Sequence, residues 1–201
     1  MLTLELAGQG IFAMGRFVST IALMSSLATL LPAGAGAGSS TYEPTYPPRI
    51  IAASAAAKSF YVEFRAREDG GFGHSYVALG TADTIGQLRE TVVVGFMPKG
   101  AEDDRWSKFG IPVTGSVGVS RSDFVRRPNA RFRVAINRVT YFRLVNKVRE
   151  LRNAWTTYEL FVRNCNNFLA EIASSAGLRT PIITARYPVH YVTDLRALNS
   201  R

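Results

Sequence analysis

Cys165 is the one cysteine of this 201-residue chain, and its neighbours are those of a reactive thiol. Asn164, directly before it, is a preferred helix-capping residue, and Phe168 and Ile172 follow at helical spacing. This pattern predicts a helix that begins at Cys165 and stops at Gly177. Free amides and the macrodipole at a helix N-terminus lower the pKa of a thiol, which favours the nucleophilic thiolate.

A thiol nucleophile needs a histidine base within hydrogen-bonding reach, and the chain has two histidines, His74 and His190. His74 lies between Gly73 and Ser75 in a segment rich in β-forming residues, where the glycine keeps the ring accessible. His190 lies among aromatic residues near the C-terminus. We therefore expect His74, and not His190, to be the base.

The N-terminal segment has the layout of a secretory signal peptide. Arg16 precedes an apolar run of about 15 residues over 17–31, and small residues over 33–37 offer the pattern that signal peptidase cleaves. We expect residues 1–37 to be a signal peptide, Met14 to be the true start, and the mature chain to be secreted or periplasmic. A membrane anchor is the alternative, but the run is shorter than the ~20 residues that cross a bilayer.

Cys165 and His74 also have an ordinary structural interpretation. A free cysteine is most often a small buried hydrophobic residue, and a strand histidine is often a hydrogen-bonded core residue. Export weakens the first interpretation, because a lone thiol in an oxidising compartment has no internal disulfide partner and is exposed to oxidation. The pair is a stronger indication of chemistry than either residue alone.

Length and composition indicate one globular domain. We assign residues 38–50 to a linker rich in Ser, Thr and Pro, and residues 51–201 to the domain. The net charge of +9 is scattered, which weakly favours an anionic envelope surface as partner. The densest basic region, 121–133, lacks the interleaved aromatic residues of a nucleic-acid platform, so no nucleic acid is expected. The cysteine and histidines lack metal-ligand spacing, and no metal or other cofactor is expected.

Hydrophobic periodicity predicts an antiparallel sheet packed against helices, an α+β fold. The predicted strands cover 59–67, 73–79, 91–97, 115–120 and 131–137. An apolar stripe from Phe142 to Trp155 predicts an amphipathic helix capped by Thr140. Residues 98–113 have the composition of a surface loop, and residues 181–192 are expected to be extended.

Two segments resemble those of a known family. The run from Tyr158 to Phe168 (YELFVRNCNNF), followed by Gly177, resembles the cysteine segment of circularly permuted papain-like thiol hydrolases. The similarity is to the PPPDE thiol peptidases, which include desumoylating isopeptidases, and more distantly to lecithin retinol acyltransferase-like enzymes. The run from Gly73 to Leu79 (GHSYVAL) is of the same type as the histidine strand that precedes the cysteine helix in this group.

The resemblance implies a permuted papain-like fold in which the Cys165 helix faces the His74 strand. It implies a thiol hydrolase that cleaves or transfers a peptide, isopeptide or acyl-ester bond through a thioester on Cys165. Because a fold does not guarantee activity, a catalytically inactive papain-like binding module of the cell envelope is the alternative.

The sequence does not decide which residue would orient His74 or which groups would stabilise the oxyanion. Gln87, Glu90 and Asn137 are candidates to orient His74, and a dyad without a third residue is also compatible with the resemblance. For the oxyanion, the backbone N–H of Cys165 is the first candidate donor, with Tyr158 as a side-chain candidate. The two asparagines that follow Cys165 are interpreted equally well as turn and capping groups.

Overall fold

The computed structural model describes residues 59–200, and within them six strands form one antiparallel sheet in the order β5-β1-β2-β3-β4-β6. The strands are β1 (Ser59–Arg67), β2 (His74–Ala82), β3 (Leu88–Pro98), β4 (Val113–Gly118), β5 (Ala130–Ile136) and β6 (Thr157–Tyr158). The helices are α1 (Ala101–Ser107), α2 (Ser122–Val125), α3 (Arg138–Ala154), α4 (Cys165–Ser175) and α5 (Pro188–Asn199). The expected α+β class, an antiparallel sheet with helices, is confirmed.

One face of the sheet carries the hydrophobic core. Val62 and Phe64 of β1 and Val77 and Leu79 of β2 alternate onto this face and are fully buried. Helices α3, α4 and α5 contribute Tyr141, Leu144, Val145, Val148, Leu151, Phe168, Leu169, Ile172, Ala173, Tyr191, Val192 and Leu195 to the same cluster. Burying one such large apolar side chain contributes roughly 1.5–3 kcal/mol, so this layer holds α4 firmly against β2 and β3.

The other face of β1 carries buried charges. Glu63 is 1% exposed, accepts a hydrogen bond from Arg65 Nε at 2.6 Å, and pairs with Arg133 of β5. Arg65 also pairs with Glu90 of β3. A buried carboxylate is tolerated only when it is paired, and Glu63 meets this condition. Because its partners lie on neighbouring strands, the ion pairs link β5, β1 and β3 on the polar face.

Helix α3 begins earlier than its sequence pattern predicts. Asn137, not Thr140, is the capping residue, because the Asn137 side chain accepts a hydrogen bond from the Thr140 backbone N–H at 2.8 Å. Val145, Val148 and Leu151 of the predicted stripe are buried, but Phe142 is 45% exposed, and Tyr141 and Leu144 are buried in addition. The predicted cap was therefore wrong by three residues, since both residue types cap well and only the backbone path distinguishes them.

Three helices, α1, α2 and α5, lie where no helix was predicted. Helix α2 occupies four residues of the basic region 121–133. Helix α1 falls within the expected loop 98–113, with Glu102, Asp103 and Asp104 in its first turn, where acidic side chains interact favourably with the helix dipole. Helix α5 begins at Pro188, inside the segment expected to be extended. Proline is well suited to the first position of a helix, and this signal at Pro188 was available in the sequence.

The predicted signal peptide (1–37), the linker (38–50) and the first residues of the predicted domain (51–58) lie outside the described residues. Within residues 59–200, every helix is too short or too polar to cross a bilayer.

Candidate active site

Helix α4 begins at Cys165, as predicted, and its start is fully capped. The Asn164 side chain accepts hydrogen bonds from the backbone N–H groups of Asn166 and Asn167 at 2.8 and 3.1 Å. In return, the Asn167 side chain accepts one from the Asn164 N–H at 3.0 Å. This reciprocal capping box places the thiol in the first turn, where the helix dipole favours its anionic form.

Asn166 connects the cysteine helix to two other parts of the fold. Its side-chain oxygen accepts a hydrogen bond from Ser75 of β2 at 2.8 Å. Its side-chain nitrogen donates to the backbone carbonyls of Thr184 and Arg186 at 2.9 and 2.8 Å. Asn166 is 1% exposed, so its role is to hold α4 in position beside the start of β2. These contacts favour the interpretation of Asn166 and Asn167 as turn and capping groups.

His74 is the first residue of β2, and the hydrogen bond from the adjacent Ser75 to Asn166 of α4 brings it beside the start of the cysteine helix. Burial by itself lowers the pKa of His74, but the charge of Asp123 and the hydrogen bond with Cys165 raise it by more, so the pKa lies above its ordinary value. Burial likewise raises the pKa of Cys165, but the hydrogen bond with His74, the charge of His74 and hydrogen bonds with Ser75 lower it below its ordinary value. The two shifts together favour a thiolate beside an imidazolium.

Asp123 of α2 faces the other side of the histidine ring. Its Oδ2 lies 3.9 Å from His74 Nε2, and its side chain is completely buried. Arg67 Nε donates to Asp123 Oδ1 at 3.1 Å, and the Ser120 backbone N–H donates to Oδ2 at 2.9 Å. The sequence analysis missed this residue, although it is the one acidic residue within the basic region 121–133.

Gly95 of β3 makes room for the histidine ring. A Cβ atom built on Gly95 would lie 2.6 Å from His74 Nε2 and 2.9 Å from Cε1, closer than side chains approach one another. On its own strand, the His74 ring stacks on Tyr76 with ring centroids 5.9 Å apart and planes inclined by 8°. Any residue larger than glycine at position 95 would displace the ring. The only sign of this in the sequence is a glycine inside a strand, which often marks a point where another group approaches the backbone closely.

Tyr158 of β6 lies near the thiol. Burial first, and then the charges of Cys165 and Asp104, raise the pKa of the Tyr158 hydroxyl well above its ordinary value. The hydroxyl therefore stays protonated beside Cys165, as the side-chain oxyanion candidate must.

The three candidates to orient His74 lie elsewhere, which corrects that expectation. Gln87 is exposed in the turn between β2 and β3, at the end of β2 far from His74. Glu90 pairs with Arg65, and Asn137 caps α3. Local sequence pattern does not show that the segment after β4 returns to the start of β2 and places Asp123 there.

His190, the alternative base, is exposed in α5, and its ring packs edge-on against Tyr187 at 6.3 Å. The groups that shift the pKa of Cys165 include His74 and not His190.

A cleft of about 430 Å³ opens onto this site. His74 and Tyr158 line it, and its walls come from the β1–β2 turn, α1, the α2 region and Leu160. Cys165 is 5% exposed and does not itself line the cleft. Within residues 59–200, no group of three or more His, Cys, Asp or Glu side chains could hold a metal ion.

No protein-family model, no curated protein and no solved structure matches this chain.

Proposed function

We propose that this protein is an exported cysteine hydrolase that cleaves or transfers an acyl or amide bond through a thioester on Cys165, with His74 as the base. The observation that carries the proposal is the Ser75–Asn166 hydrogen bond, which brings the start of β2, and with it His74, beside a thiol in the first turn of a capped helix next to a cleft. A thiol that served packing alone would gain nothing from a buried histidine and a buried carboxylate behind it.

In the proposed reaction the Cys165 thiolate attacks the carbonyl carbon of the substrate, and a C–S bond forms. The C–N or C–O bond then breaks, and the His74 imidazolium gives its proton to the leaving amine or alcohol. Water, or an acceptor nucleophile, loses a proton to His74 and attacks the thioester, which releases the acyl group and restores the thiol. The Cys165 N–H and the Tyr158 hydroxyl stabilise the negative oxygen in both steps.

The finer fold assignment, permuted papain-like, is part of this proposal. The histidine strand precedes the cysteine helix in the chain, and α4 packs against β2 and β3, as the resemblance to the PPPDE and lecithin retinol acyltransferase-like groups implies. Export to a secreted or periplasmic location, a peptide, isopeptide or acyl-ester substrate, and an anionic envelope surface as partner are proposed on the sequence features given above.

One observation favours the alternative, an inactive binding module. Cys165 is 5% exposed and does not itself line the cleft, so a substrate carbonyl reaches it only past His74 and Tyr158.

A direct test is to trap the acyl-enzyme. Native protein is incubated with p-nitrophenyl acetate, a small activated ester, and its mass is measured. We expect one added acetyl group on Cys165 that hydroxylamine removes, and no such adduct in Cys165→Ala. Since the chain has a single cysteine, the site of modification is unambiguous. A native thiol that forms no thioester with this ester would contradict the proposal.

Asp123 acts in this proposal as a positioning residue, and its charge provides a pH-dependent test. Because that charge raises the pKa of His74, Asp123→Asn is expected to lower it. The measurement is an NMR titration of the His74 ring, made in a Cys165→Ala background so that the thiol does not titrate with it.

His190 is the internal control for that measurement, since it is exposed in α5 and its ring signals should be the same with and without the Asp123 change. A His74 pKa that is the same with Asp123 and with asparagine would show that Asp123 serves only to pair with Arg67. Thermal unfolding measured alongside gives the purely structural cost of the change.

A further inference from the structure

The cleft is lined by both signs of charge, and all but one of its charged side chains are paired within the fold. Arg67 donates to Asp123 at 3.1 Å and to Asp69 at 3.4 Å. Lys108 pairs with Asp104 at 2.7 Å. These fixed pairs leave little charge for a ligand to neutralise.

Arg126 is the exception. It lines the cleft and is exposed, and within residues 59–200 no acidic side chain forms an ion pair with it. It directly follows α2 as its C-terminal cap, three residues after Asp123, and its backbone N–H donates to the Ser122 carbonyl at 2.9 Å. The carboxylate behind His74 and the cation in the cleft wall are therefore held by the same short helix.

We propose that Arg126 makes the cleft selective for acyl substrates that carry a carboxylate in the part that fills the cleft. A guanidinium forms two parallel hydrogen bonds with a carboxylate. An arginine without an ion-pair partner can bind a ligand carboxylate without first breaking an existing ion pair. The inference rests on the proposed function, because it concerns what reaches Cys165. It narrows the substrate class to anionic peptides, isopeptides or acyl esters.

The test compares two alkylating reagents of nearly equal size, iodoacetate, which carries a carboxylate, and iodoacetamide, which is neutral. In each reaction the Cys165 sulfur forms a bond to the CH₂ carbon, and iodide leaves. The rates are measured by mass spectrometry at low and high ionic strength in the native protein and in Arg126→Gln, Arg126→Lys and Arg127→Gln. Arg127 is the matched control, because it is also exposed but does not line the cleft.

We expect Arg126→Gln to lower the iodoacetate rate about fivefold at low salt and to leave the iodoacetamide rate unchanged, because a single charge acts across the cleft. Arg126→Lys keeps the charge but not the two parallel hydrogen bonds and should give an intermediate ratio. Arg127→Gln should keep the native ratio, and high salt should reduce the ratio in the native protein. An unchanged ratio in Arg126→Gln, or an equal loss in Arg127→Gln, overturns the inference. Failure of both reagents to modify the native thiol would instead contradict the proposed function.

Discussion

His74→Ala is expected to reduce the rate at which iodoacetamide modifies Cys165 at pH 7 by about 100-fold or more. Burial is the largest single influence on the pKa of Cys165 and raises it, whereas His74 and Ser75 together lower it below its ordinary value, so removing the ring is expected to raise this pKa. Each unit of rise lowers the thiolate fraction about tenfold. The measurement is the second-order alkylation rate as a function of pH.

The sign of the pH dependence follows from the two shifts. The pKa of Cys165 is lowered and that of His74 is raised, so the thiolate persists to lower pH, and the imidazolium to higher pH, than ordinary groups of each kind. The native alkylation rate should therefore fall, as the thiolate takes up a proton, at a lower pH than the rate of an ordinary thiol. In His74→Ala this fall should move to higher pH, because the influences of His74 that lower the pKa of Cys165 are lost.

His190→Ala is the matched control for that experiment, since it removes the other histidine from an exposed site on α5. It should leave both the rate and its pH dependence unchanged. If His190→Ala suppressed the reaction and His74→Ala did not, the base would be misassigned while the reactive thiol remained.

Gly95→Ala is expected to remove most of the reactivity of Cys165 although it touches neither the thiol nor its helix. The added Cβ would lie 2.6 Å from His74 Nε2, so the ring must leave its position beside Cys165. We expect the alkylation rate at pH 7 to fall at least tenfold, together with a cost of about 1–3 kcal/mol in the free energy of unfolding from overpacking.

The control for this change is Gly71→Ala. Gly71 lines the same cleft, but a Cβ there would meet nothing closer than Asp69 Oδ1 at 3.5 Å, an ordinary contact. Gly71→Ala should therefore react like the native protein. Gly95→Ala that is alkylated at the native rate and keeps its thermal stability would contradict this prediction. It would show that the position of the His74 ring against Gly95 is not needed for the reactivity of Cys165.

The parts of the site that follow from local sequence were predicted well. The helix start at Cys165 depends on Asn164 and on apolar spacing within a few residues, and capping is a local interaction. The strand that carries His74 was predicted over 73–79 from its β-forming residues, and it is observed over His74–Ala82. Where two capping residues competed, as Asn137 and Thr140 do before α3, the same local reasoning chose the wrong one.

The parts that depend on contacts between distant segments were not predicted. The candidates Gln87 and Glu90 were near His74 in sequence but lie toward the far end of β2, because an antiparallel hairpin carries its turn away from the start of the strand. Asp123 is distant in sequence and adjacent in space.

The sequence by itself determined that this protein has a lone thiol at a capped helix start, a histidine on an earlier strand and an α+β sheet, because each rests on interactions within a single element. Only the tertiary structure decided that His74 is the histidine beside Cys165, that Asp123 stands behind it and that Gly95 leaves space for its ring. Those facts depend on strand pairing and on the path of the chain after β4, which long-range packing selects and local pattern does not encode.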